Sequence, residues 1–323
     1  MPNPTVLTLV PPADAAAAEQ WRLDQRMTEL AALILRHSPG DGLHATSIPR
    51  LQLVRLAAPQ LPICGIYTPS VCILAQGRKR VTLGNEVYVY DRSRYIVGAV
   101  GLTVTGEVVD ATPEQPYLCF RLDFDPRQIA EMVLELGLPM PAKGTARGLF
   151  LENASLSMVD AAVRLISLLD TPEDIGALAP LAERELLYRL LRSAQGWRLI
   201  QAATQDTHAH RIDHAIRWLQ ERFTEPLRID VMAEAAHMSS SALHHHFKAV
   251  TALSPLQYQK RLRLQEARRL LMAESLDAAT AGHRVGYESP SQFSREYARL
   301  FGAPPARDLQ RMREQNAPLA IAS

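Results

Sequence analysis

The last hundred or so residues of the chain contain one helical pattern twice, with the copies about fifty residues apart. In each copy a short helical stretch, a turn and a second short helix follow one another. Two large apolar residues of the second helix stand four positions apart, Leu243 and Phe247 in the first copy and Phe293 and Tyr297 in the second. Residues four apart lie on one face of a helix, so each pair is expected to point into a core. The repeat predicts an all-α C-terminal domain with two helix-turn-helix units.

The first unit begins after Leu227. We predict helices over residues 228–236 and 240–250, separated by a turn at residues 237–239. Ser239 is expected to cap the second helix, because its hydroxyl can accept a hydrogen bond from a free N–H group of the first turn. The expected core residues of the first helix are Val231, Met232 and Ala235.

A long helix from Ser254 joins the first unit to the second. We predict the helices of the second unit over residues 277–284 and 289–301, with Gly286 supplying the left-handed backbone conformation that a tight turn between helices often needs. The expected apolar residues of the long helix are Leu256, Tyr258, Leu262, Leu264, Ala267, Leu270 and Leu271. Its expected outward-facing residues are Lys260, Arg261, Arg263, Arg268 and Arg269.

The N-terminal part of the second helix of such a unit enters the major groove of DNA. The outward-facing residues of that helix are therefore the candidates for contact with base edges or phosphates. In the first unit they are Ser240, Ser241, His244, His245 and Lys248. In the second unit they are Pro290, Ser291, Gln292, Arg295 and Arg299. For the histidines, simple solvent exposure is the alternative. A metal site at the three adjacent histidines is disfavoured, because neighbouring helical residues point about 100° apart.

The charge of the chain is divided unevenly. The formal net charge is +1, but 16 lysines and arginines face 12 aspartates and glutamates from Thr207 onward, against 19 and 22 in front of it. Eight of the ten histidines also lie in the back segment. That segment is the better candidate for a polyanionic partner, although a bias of this size is found in many domains that do not bind one.

Residues 51–124 have a different residue pattern, in which short runs of β-branched and aromatic residues alternate with turn residues. Such spacing predicts an antiparallel sandwich or a small barrel. A tight turn is predicted at Gly84 and Asn85, before a strand (residues 86–90) whose valines and tyrosines alternate between two faces. One of these faces is expected in the core.

Helical patterns flank the β-rich region, and we predict helices over residues 21–37, 128–136, 159–169 and 180–203. A leucine stripe on the last of them suits either packing within the chain or a dimer seam, and it consists of Leu186, Leu187, Leu190 and Leu191. Asp206 and Thr207 indicate a boundary. The predicted organisation is a flexible arm (1–20), a β-rich sensing domain (21–150), a helical linker or dimerisation segment (151–206) and a DNA-binding domain (207–316).

The C-terminal segment closely resembles the DNA-binding domain of the AraC/XylS family of transcription regulators, through AEAAHMSSSALHHHFKAVTALSPLQYQKRLRLQEARRLL and VGYESPSQFSREYARLFGAPP. This resemblance covers residues 208–313. Residues 50–140 also resemble the cupin-type sensing domain of one branch of that family, around CILAQGRKRVTLGNEVYVYD and PYLCFRLDF. The resemblance implies an α+β protein in which a cupin-like β-barrel or sandwich with flanking helices precedes the helical domain. It also implies promoter DNA and RNA polymerase as partners.

The chain departs from the family pattern at three positions. Met232 stands where leucine is usual, Ala252 where many members carry glycine, and Gly282 within a helix usually rich in alanine. Glycine inside a helix costs up to about 1 kcal/mol relative to alanine. We therefore expect the second unit to be somewhat loose.

The candidate sensing residues are the three cysteines and two neighbours of Cys119. Cys64, Cys72 and Cys119 lie in apolar runs, where a free cysteine is usually a small core residue. The alternative is a thiol that senses electrophiles or oxidants, activated if the fold brings nearby cations close. Those cations are Arg78, Lys79, Arg80 and Arg121.

Tyr117, Cys119 and Arg121 share one face of a strand under strict alternation. If this face lines the barrel interior it is a candidate polar ligand site, and if it turns outward it is an ordinary solvated edge.

Other classes of protein are disfavoured by what the sequence lacks. It has no apolar run long enough to span a bilayer and no signal-peptide pattern, so we expect a cytoplasmic protein, associated with the nucleoid when bound to DNA. Three cysteines are too few for a disulfide framework. Residues 51–124 contain no histidine, so we expect neither the metal site of a cupin enzyme nor another cofactor.

Our leading hypothesis is a homodimeric, sequence-specific transcription regulator. A small molecule or thiol-reactive compound at the N-terminal domain would alter DNA binding or contact with RNA polymerase. The second hypothesis is a non-catalytic interaction module whose front domain only dimerises. The third is an enzyme with an appended DNA-binding domain.

Overall fold

The structure, a computed structural model, describes residues 14–140, 145–205, 207–274 and 276–314. Within these ranges all ten strands precede residue 154, and the rest of the regular structure that follows is helical. The prediction of an α+β protein with an all-α C-terminal region is confirmed. Residues 1–13 of the predicted arm, together with Asp206 and residues 315–316 at the predicted domain boundaries, lie outside the described residues.

Two antiparallel sheets form an open sandwich, which is one of the two predicted alternatives. The strands are β1 (Gly42–Ala45), β2 (Leu51–Leu56), β3 (Ile63–Tyr67), β4 (Ser70–Gln76), β5 (Arg78–Leu83), β6 (Glu86–Tyr90), β7 (Arg94–Gly98), β8 (Leu102–Asp110), β9 (Tyr117–Asp123) and β10 (Leu149–Asn153). The larger sheet has the order β1-β2-β9-β4-β7-β10, and the smaller has β3-β8-β5-β6. The turn predicted at Gly84 joins β5 to β6, and Gly84 has a φ of 61°. Tyr90 of β6 is buried whereas Val87 is exposed, so the tyrosine face of this strand turns inward.

The helices of the front part are α1 (Ala15–Arg36), α2 (Pro126–Glu135), α3 (Leu156–Ser167), α4 (Ile175–Leu191) and α5 (Trp197–Ala203). Those of the C-terminal part are α6 (His208–Glu221), α7 (Ile229–Ala235), α8 (Ser240–Thr251), α9 (Pro255–Ala273), α10 (Ala278–Arg284), α11 (Pro290–Phe301) and α12 (Pro305–Glu314).

Two predictions for the front helices are wrong in extent. The end of the predicted arm is helical, because the Asp14 side chain accepts a hydrogen bond from the N–H group of Ala17 and starts α1 at Ala15. The helix predicted over 180–203 begins earlier, at Ile175, and is interrupted before α5 begins at Trp197. A side chain at Gly196 would collide with the Leu190 carbonyl oxygen, at 2.4 Å from the added Cβ, so this interruption requires glycine.

The leucine stripe of α4 is fully used within the chain. All four leucines are buried, and α4 packs on α3. Of the two predicted roles for this stripe, packing within the chain is the one observed.

The buried apolar residues form two cores. The boundary between these cores lies within α9 and not at residue 207, where the DNA-binding domain was predicted to begin. One apolar core runs continuously from α1 through the sandwich, α3 to α6 and the first helix-turn-helix unit, as far as Leu262. The second unit has a separate, smaller core that begins at Leu264 of the connecting helix α9. The first unit is thus packed into the front of the molecule, whereas the second has its own interior.

Candidate DNA interface and ligand cluster

The two helix-turn-helix units turn through the same backbone motif. His237 follows α7 with a φ of 51°, and Gly286 follows α10 with a φ of 90°. In both turns two successive N–H groups donate to carbonyls three and five residues earlier, at 2.9 Å in the first turn and 3.0 Å in the second. This is the Schellman pattern of helix ends. The left-handed turn predicted at Gly286 is confirmed, and a histidine takes the same conformation in the first unit.

The large apolar residues of α8 and α11 face inward as their spacing predicts. Leu243, Phe247, Phe293 and Tyr297 each expose 0% of their surface. Ser239 caps α8 by accepting from the N–H group of Ala242 at 3.2 Å, as predicted.

The predicted face of α7 is wrong by one position. Val231 is exposed, while Met232, Ala233 and Ala236 are buried. The helix presents the stripe at 232, 233 and 236 to its neighbours α6 and α8, so Val231 falls on the solvent side.

All ten candidate DNA-binding residues are exposed. They are Ser240, Ser241, His244, His245, Lys248, Pro290, Ser291, Gln292, Arg295 and Arg299. The chain therefore presents two helix N-termini with polar outer faces, and a helix N-terminus is favourable for contact with phosphate.

A network around Glu296 holds the second recognition helix α11. Its carboxylate accepts from Lys260 Nζ at 2.6 Å, the Tyr287 hydroxyl at 2.8 Å and Gln292 Nε2 at 3.2 Å. Burial opposes ionisation of Glu296, but the hydrogen bonds from Lys260 and Tyr287 outweigh it and lower the pKa. Gln292, a candidate for base contact, is thereby tied to a fixed carboxylate on its own helix.

The structure explains one of the three departures from the family pattern, the glycine at position 282. A Cβ at Gly282 would lie 2.9 Å from the Phe293 ring, so glycine lets α10 approach α11 closely. This close packing of α10 on α11 argues against the looseness that we expected for the second unit. Ala252 ends α8 in the left-handed region, with a φ of 61°.

The long connecting helix α9 is less exposed on its basic side than predicted. Arg268 is half-buried, with 13% of its side chain exposed, and forms a bidentate pair with Asp308 of α12, at 2.9 and 3.1 Å, so its predicted outward position is wrong. Arg263 donates to the carbonyls of Phe223 and Gly286, at 2.6 and 2.7 Å. Leu256, predicted in the core, is 51% exposed, because the buried face of the helix starts with Pro255, Tyr258 and Gln259 and Leu256 lies outside it. Arg263 and Arg268 therefore connect α9 to neighbouring segments and do not form a free cationic surface.

Hydrogen bonds from the front part of the molecule hold the C-terminal end of α8. Arg147 pairs with Glu86 in bidentate fashion, with Nη2 2.6 Å and Nε 2.8 Å from Oε1, and also donates to the carbonyls of Lys248, at 2.7 Å, and Ala249. The N–H group of Gly148 donates to the carbonyl of Val250 at 3.0 Å. We term these contacts the α8 clamp. The clamp leaves the N-terminal end of α8, which carries candidate DNA-binding residues, free of these contacts.

A second set of contacts joins the sandwich to α9. The Tyr258 hydroxyl donates to the Gly101 carbonyl at 3.1 Å, and Gln265 Nε2 donates to the Gly65 carbonyl at 3.2 Å. Between β3, α6 and α9 lies a cavity of about 540 Å³, whose walls include Cys64, Phe223 and Gln265.

Polar side chains from both sheets meet inside the sandwich, and we term them the inner cluster. Its members are Tyr67, Cys72, Lys79, Tyr90, Tyr117, Cys119 and Arg121. Lys79 Nζ lies 5.5 Å from the ring centre of Tyr67 and 5.8 Å from that of Tyr117, and the Arg121 guanidinium lies 5.8 Å from the Tyr67 ring. The face of β9 that carries Tyr117, Cys119 and Arg121 thus turns inward, which excludes the solvated-edge alternative.

The four candidate cations near the thiols divide into two pairs. Arg78 and Arg80 point outward and pair with Asp110 and Glu107, at 2.9 and 2.6 Å. Lys79 and Arg121 are the two that join the cluster. The alternation of β5 carries a signal for this, because Lys79 shares its face with the buried Val81 and Leu83. The sequence interpretation missed Tyr67 and Tyr90.

The thiols of Cys72 and Cys119 belong to the inner cluster, whereas Cys64 does not. A hydrogen bond from Cys119, with support from Arg121 and Lys79, lowers the pKa of Cys72 to about 7. The same contact, together with burial, raises the pKa of Cys119. Cys64 lies at the cavity beside α9, next to the Thr105 hydroxyl at 3.1 Å, and burial raises its pKa. All three cysteines are buried and unpaired, as the core interpretation predicts.

The adjacent histidines of α8 do not converge. His246 stacks on His208 of α6, with ring centres 3.8 Å apart, and Thr145 lies 2.7 Å from its Nδ1. No group of three or more metal-ligating side chains occurs in the part of the chain that the structure describes. Nor is any helix in those ranges long and apolar enough to cross a membrane.

Two exposed recognition helices on one chain, behind a β-sandwich with a polar interior, define the class of a DNA-binding transcription regulator with an N-terminal regulatory domain. Comparison with known proteins identifies the family. The AraC-type transcriptional regulator N-terminus matches residues 47–198, and a helix-turn-helix domain matches residues 232–311. The chain belongs to the AraC/XylS family of transcription regulators.

Among curated proteins, the chain is 27% identical over 158 residues to the HTH-type transcriptional activator RhaS of Escherichia coli O1:K1, and 28% identical to RhaS of strain SE11. Each match covers 49% of this chain and 56% of RhaS, so the chain spans about half the length of the curated relatives it matches.

Solved structures share the fold over about four fifths of this chain. Apo ToxT from Vibrio cholerae strain SCE256 superposes with a TM-score of 0.54 at 10% identity, over 82% of this chain and 99% of ToxT. ToxT from V. cholerae O395, bound to (E)-4-(8-methylnaphthalen-1-yl)but-3-enoic acid, also gives 0.54 at 10% identity, over 81% and 98%. At this identity the likeness shows the fold alone.

Proposed function

We propose that the chain binds promoter DNA sequence-specifically by placing α8 and α11 in the major groove, and that a ligand of the sandwich modulates DNA binding or contact with RNA polymerase. The observation that carries the proposal is the repeat itself. Two helices present exposed polar N-terminal ends in the same layout, fifty positions apart, from Ser240 and Pro290 onward. The net positive charge of the back segment supports it.

The test is binding of the full chain to duplexes selected from a random pool, followed by competition between a selected and a scrambled duplex. We expect the selected duplex to win by at least about a thousandfold, as specific sites do over non-specific DNA. Arg295→Ala is expected to reduce this ratio. Arg164→Ala, which removes one exposed arginine from α3, is the matched control and is expected to leave it unchanged. A chain that binds both duplexes equally would refute sequence-specific recognition.

A small-molecule effector is the second part of the proposal. ToxT, which shares the fold, binds a small organic acid. Here the inner cluster is the proposed ligand site, and the α8 clamp supports a route by which the sandwich influences DNA binding. A ligand that binds only the folded form raises the melting temperature, so thermal-shift screening of the full chain finds candidates. Their effect on the gel shift then distinguishes a regulator from a module that only dimerises.

We further propose a homodimer in the cytoplasm. The buried leucine stripe of α4 offers nothing to a partner, but Leu178 and Leu181 of the same helix are 44% and 64% exposed. Sedimentation of the wild-type chain and of a Leu178→Glu, Leu181→Glu variant is the test. A wild-type chain that stays monomeric at micromolar concentration would refute the dimer.

A further inference from the structure

The side chains of the inner cluster differ in how deeply they are buried. Cys72, Tyr90, Tyr117 and Cys119 expose at most 5% of their surface. Tyr67, Lys79 and Arg121 are half-buried. The two cationic side chains therefore lie nearer to solvent than the thiols and the two buried tyrosines do.

The charges of the cluster do not balance. Arg121 pairs with Asp123, with Nε and Oδ1 2.9 Å apart, and donates to the Thr68 hydroxyl at 2.8 Å. Lys79 has no carboxylate within 4.0 Å among the described residues. A charge withdrawn from water without a partner is costly. The charge of Lys79 is uncompensated below pH 7, where the Cys72 thiol, with a pKa of about 7, is mostly protonated.

Hydrogen-bond donors around Lys79 are also unused. The hydroxyls of Tyr67, Tyr90 and Tyr117 are buried and have no partner in good hydrogen-bonding geometry among the described residues, although Tyr67 approaches Lys79, and Tyr90 and Tyr117 approach each other. Buried polar groups normally have such a partner. Gly106 of β8 lets the Lys79 side chain lie close against the strand, because a Cβ there would be 3.2 Å from Lys79 Cε and 3.5 Å from the Tyr67 hydroxyl.

We propose that the inner cluster binds a small monocarboxylate, with Lys79 as its counter-ion and the tyrosine hydroxyls as hydrogen-bond donors. One uncompensated positive charge matches one negative charge, so a monoanion fits better than a neutral solute or a dianion. An ionised carboxylate is an acceptor with about four lone-pair sites, which suits several hydroxyl donors and an ammonium together. The proposal rests on the proposed function only in taking this ligand to be the effector.

The test uses the full chain and three probes, acetate, propionate and butyrate, each compared with its primary amide at constant ionic strength. We expect a saturating carboxylate to raise the melting temperature of the wild-type chain by about 2 °C or more, and the amides to have no effect. Lys79→Met is expected to abolish the shift. Arg80→Met, the neighbouring residue on the outer face of the same strand, is the matched control and is expected to keep it.

Tyr90→Phe removes one hydroxyl and little else, so it tests the proposed carboxylate site even if Lys79→Met does not fold. It is expected to weaken carboxylate binding about tenfold, the effect of one hydrogen bond to a charged group. The proposal is overturned if no carboxylate shifts the wild type, if the amides act equally, or if Lys79→Met or Tyr90→Phe responds like the wild type. Gel shifts on the same preparations separate the two proposals. A chain that binds DNA but no carboxylate overturns this inference alone, and the reverse overturns the proposed function alone.

Discussion

At the residue scale, Arg295 and Arg299 of α11 give the sharpest contrast. Both are exposed, but Arg295 lies one turn nearer the N-terminus of the helix. An arginine there can form two hydrogen bonds with guanine, so Arg295→Ala is expected to cost about 1–3 kcal/mol, chiefly against the matched duplex. Arg299→Ala is expected to weaken all duplexes alike and to reduce the salt slope by about one unit.

Competition binding at several salt concentrations measures both effects. Equal losses on matched and scrambled duplexes for Arg295→Ala would mean that α11 only anchors the DNA backbone. Sequence recognition would then fall to Ser241, His244 and His245 of α8.

The thiol pair of the inner cluster makes stability depend on pH in a direction that can be worked out. The folded pair releases its first proton near the pKa of Cys72, about 7, whereas a thiol of the unfolded chain does so near 9.0. Between these values the unfolded chain binds more protons, so the pair's contribution to stability grows with pH. Above 9.0 the unfolded thiols ionise while Cys119 stays protonated, and the contribution shrinks again.

Urea unfolding of the wild type and of Cys72→Ser at several pH values is the measurement. The difference in midpoint is expected to increase from pH 7 to pH 9 in favour of the wild type. A pH-independent difference would show that the two thiols do not share a proton.

Single positions were predictable from sequence where local geometry decides them. The four-residue spacing of Leu243 and Phe247 set their burial, and Ser239 set the start of α8. Lys79 was predictable only as one of four candidate cations, because its surroundings come from four strands whose pairing one sequence does not specify. Arg268 was misplaced for the same reason, since its partner Asp308 lies forty positions away.

At the scale of elements, the packing of α10 on α11 explains why Gly282 is not alanine. Gly282→Ala would gain up to about 1 kcal/mol in helix propensity but force a Cβ against the Phe293 ring. Overpacking costs about 1–3 kcal/mol, so we expect a net loss in the free energy of unfolding.

Gly176→Ala on α4 is the matched control, because nothing lies within 4 Å of a Cβ there. It is expected to be neutral or slightly stabilising. Chemical denaturation of both variants is the measurement, and a Gly282→Ala variant as stable as Gly176→Ala would mean that α10 can move away from Phe293.

The α8 clamp predicts a local effect at the end of the first recognition helix. Arg147→Ala removes charged hydrogen bonds to Glu86 and to the last carbonyls of α8, and is expected to cost about 1.5–3 kcal/mol. Hydrogen exchange should quicken at the C-terminal turns of α8 and remain unchanged in α11. Arg92→Ala, which breaks an exposed pair with Asp24 away from α8, is the control. Unchanged exchange in α8 would mean that apolar packing alone holds the helix.

The helices of the two helix-turn-helix units were predicted to within a residue or two, because caps and turns mark their ends, whereas α12 was not predicted. The front helices were predicted less well. The alanine run before Trp21 has no amphipathic period, yet Asp14 caps it and it is helical. The break before α5 could not be predicted, because it depends on the close approach of Gly196 to the Leu190 carbonyl oxygen, and this contact exists only in the folded chain.

At the scale of the whole molecule, the two cores predict unequal behaviour of the two units in isolation. A fragment over residues 207–316 contains both units, and we expect it to bind DNA. In this fragment Val250 and Tyr258, buried in the full chain against the sandwich, lose part of their cover. Exposing two such side chains costs about 3–6 kcal/mol at most.

Hydrogen exchange of the fragment and the full chain is the measurement. Protection is expected to fall in α8 and the first half of α9, and to stay the same around Phe293 and Tyr297. Equal protection of both units in the fragment would mean that the first unit completes its core without the sandwich.

The continuous first core also has a consequence for how the chain is made. The Tyr258–Gly101 and Gln265–Gly65 contacts join residues 157 and 200 positions apart. During synthesis the sandwich emerges long before α9, so its outer face stays uncovered until the ribosome has released about four fifths of the chain. At roughly 5–20 residues per second, that interval lasts about ten seconds or more. The last unit has a core of its own and needs no such wait, so α9 and the sandwich can meet before α11 has left the ribosome.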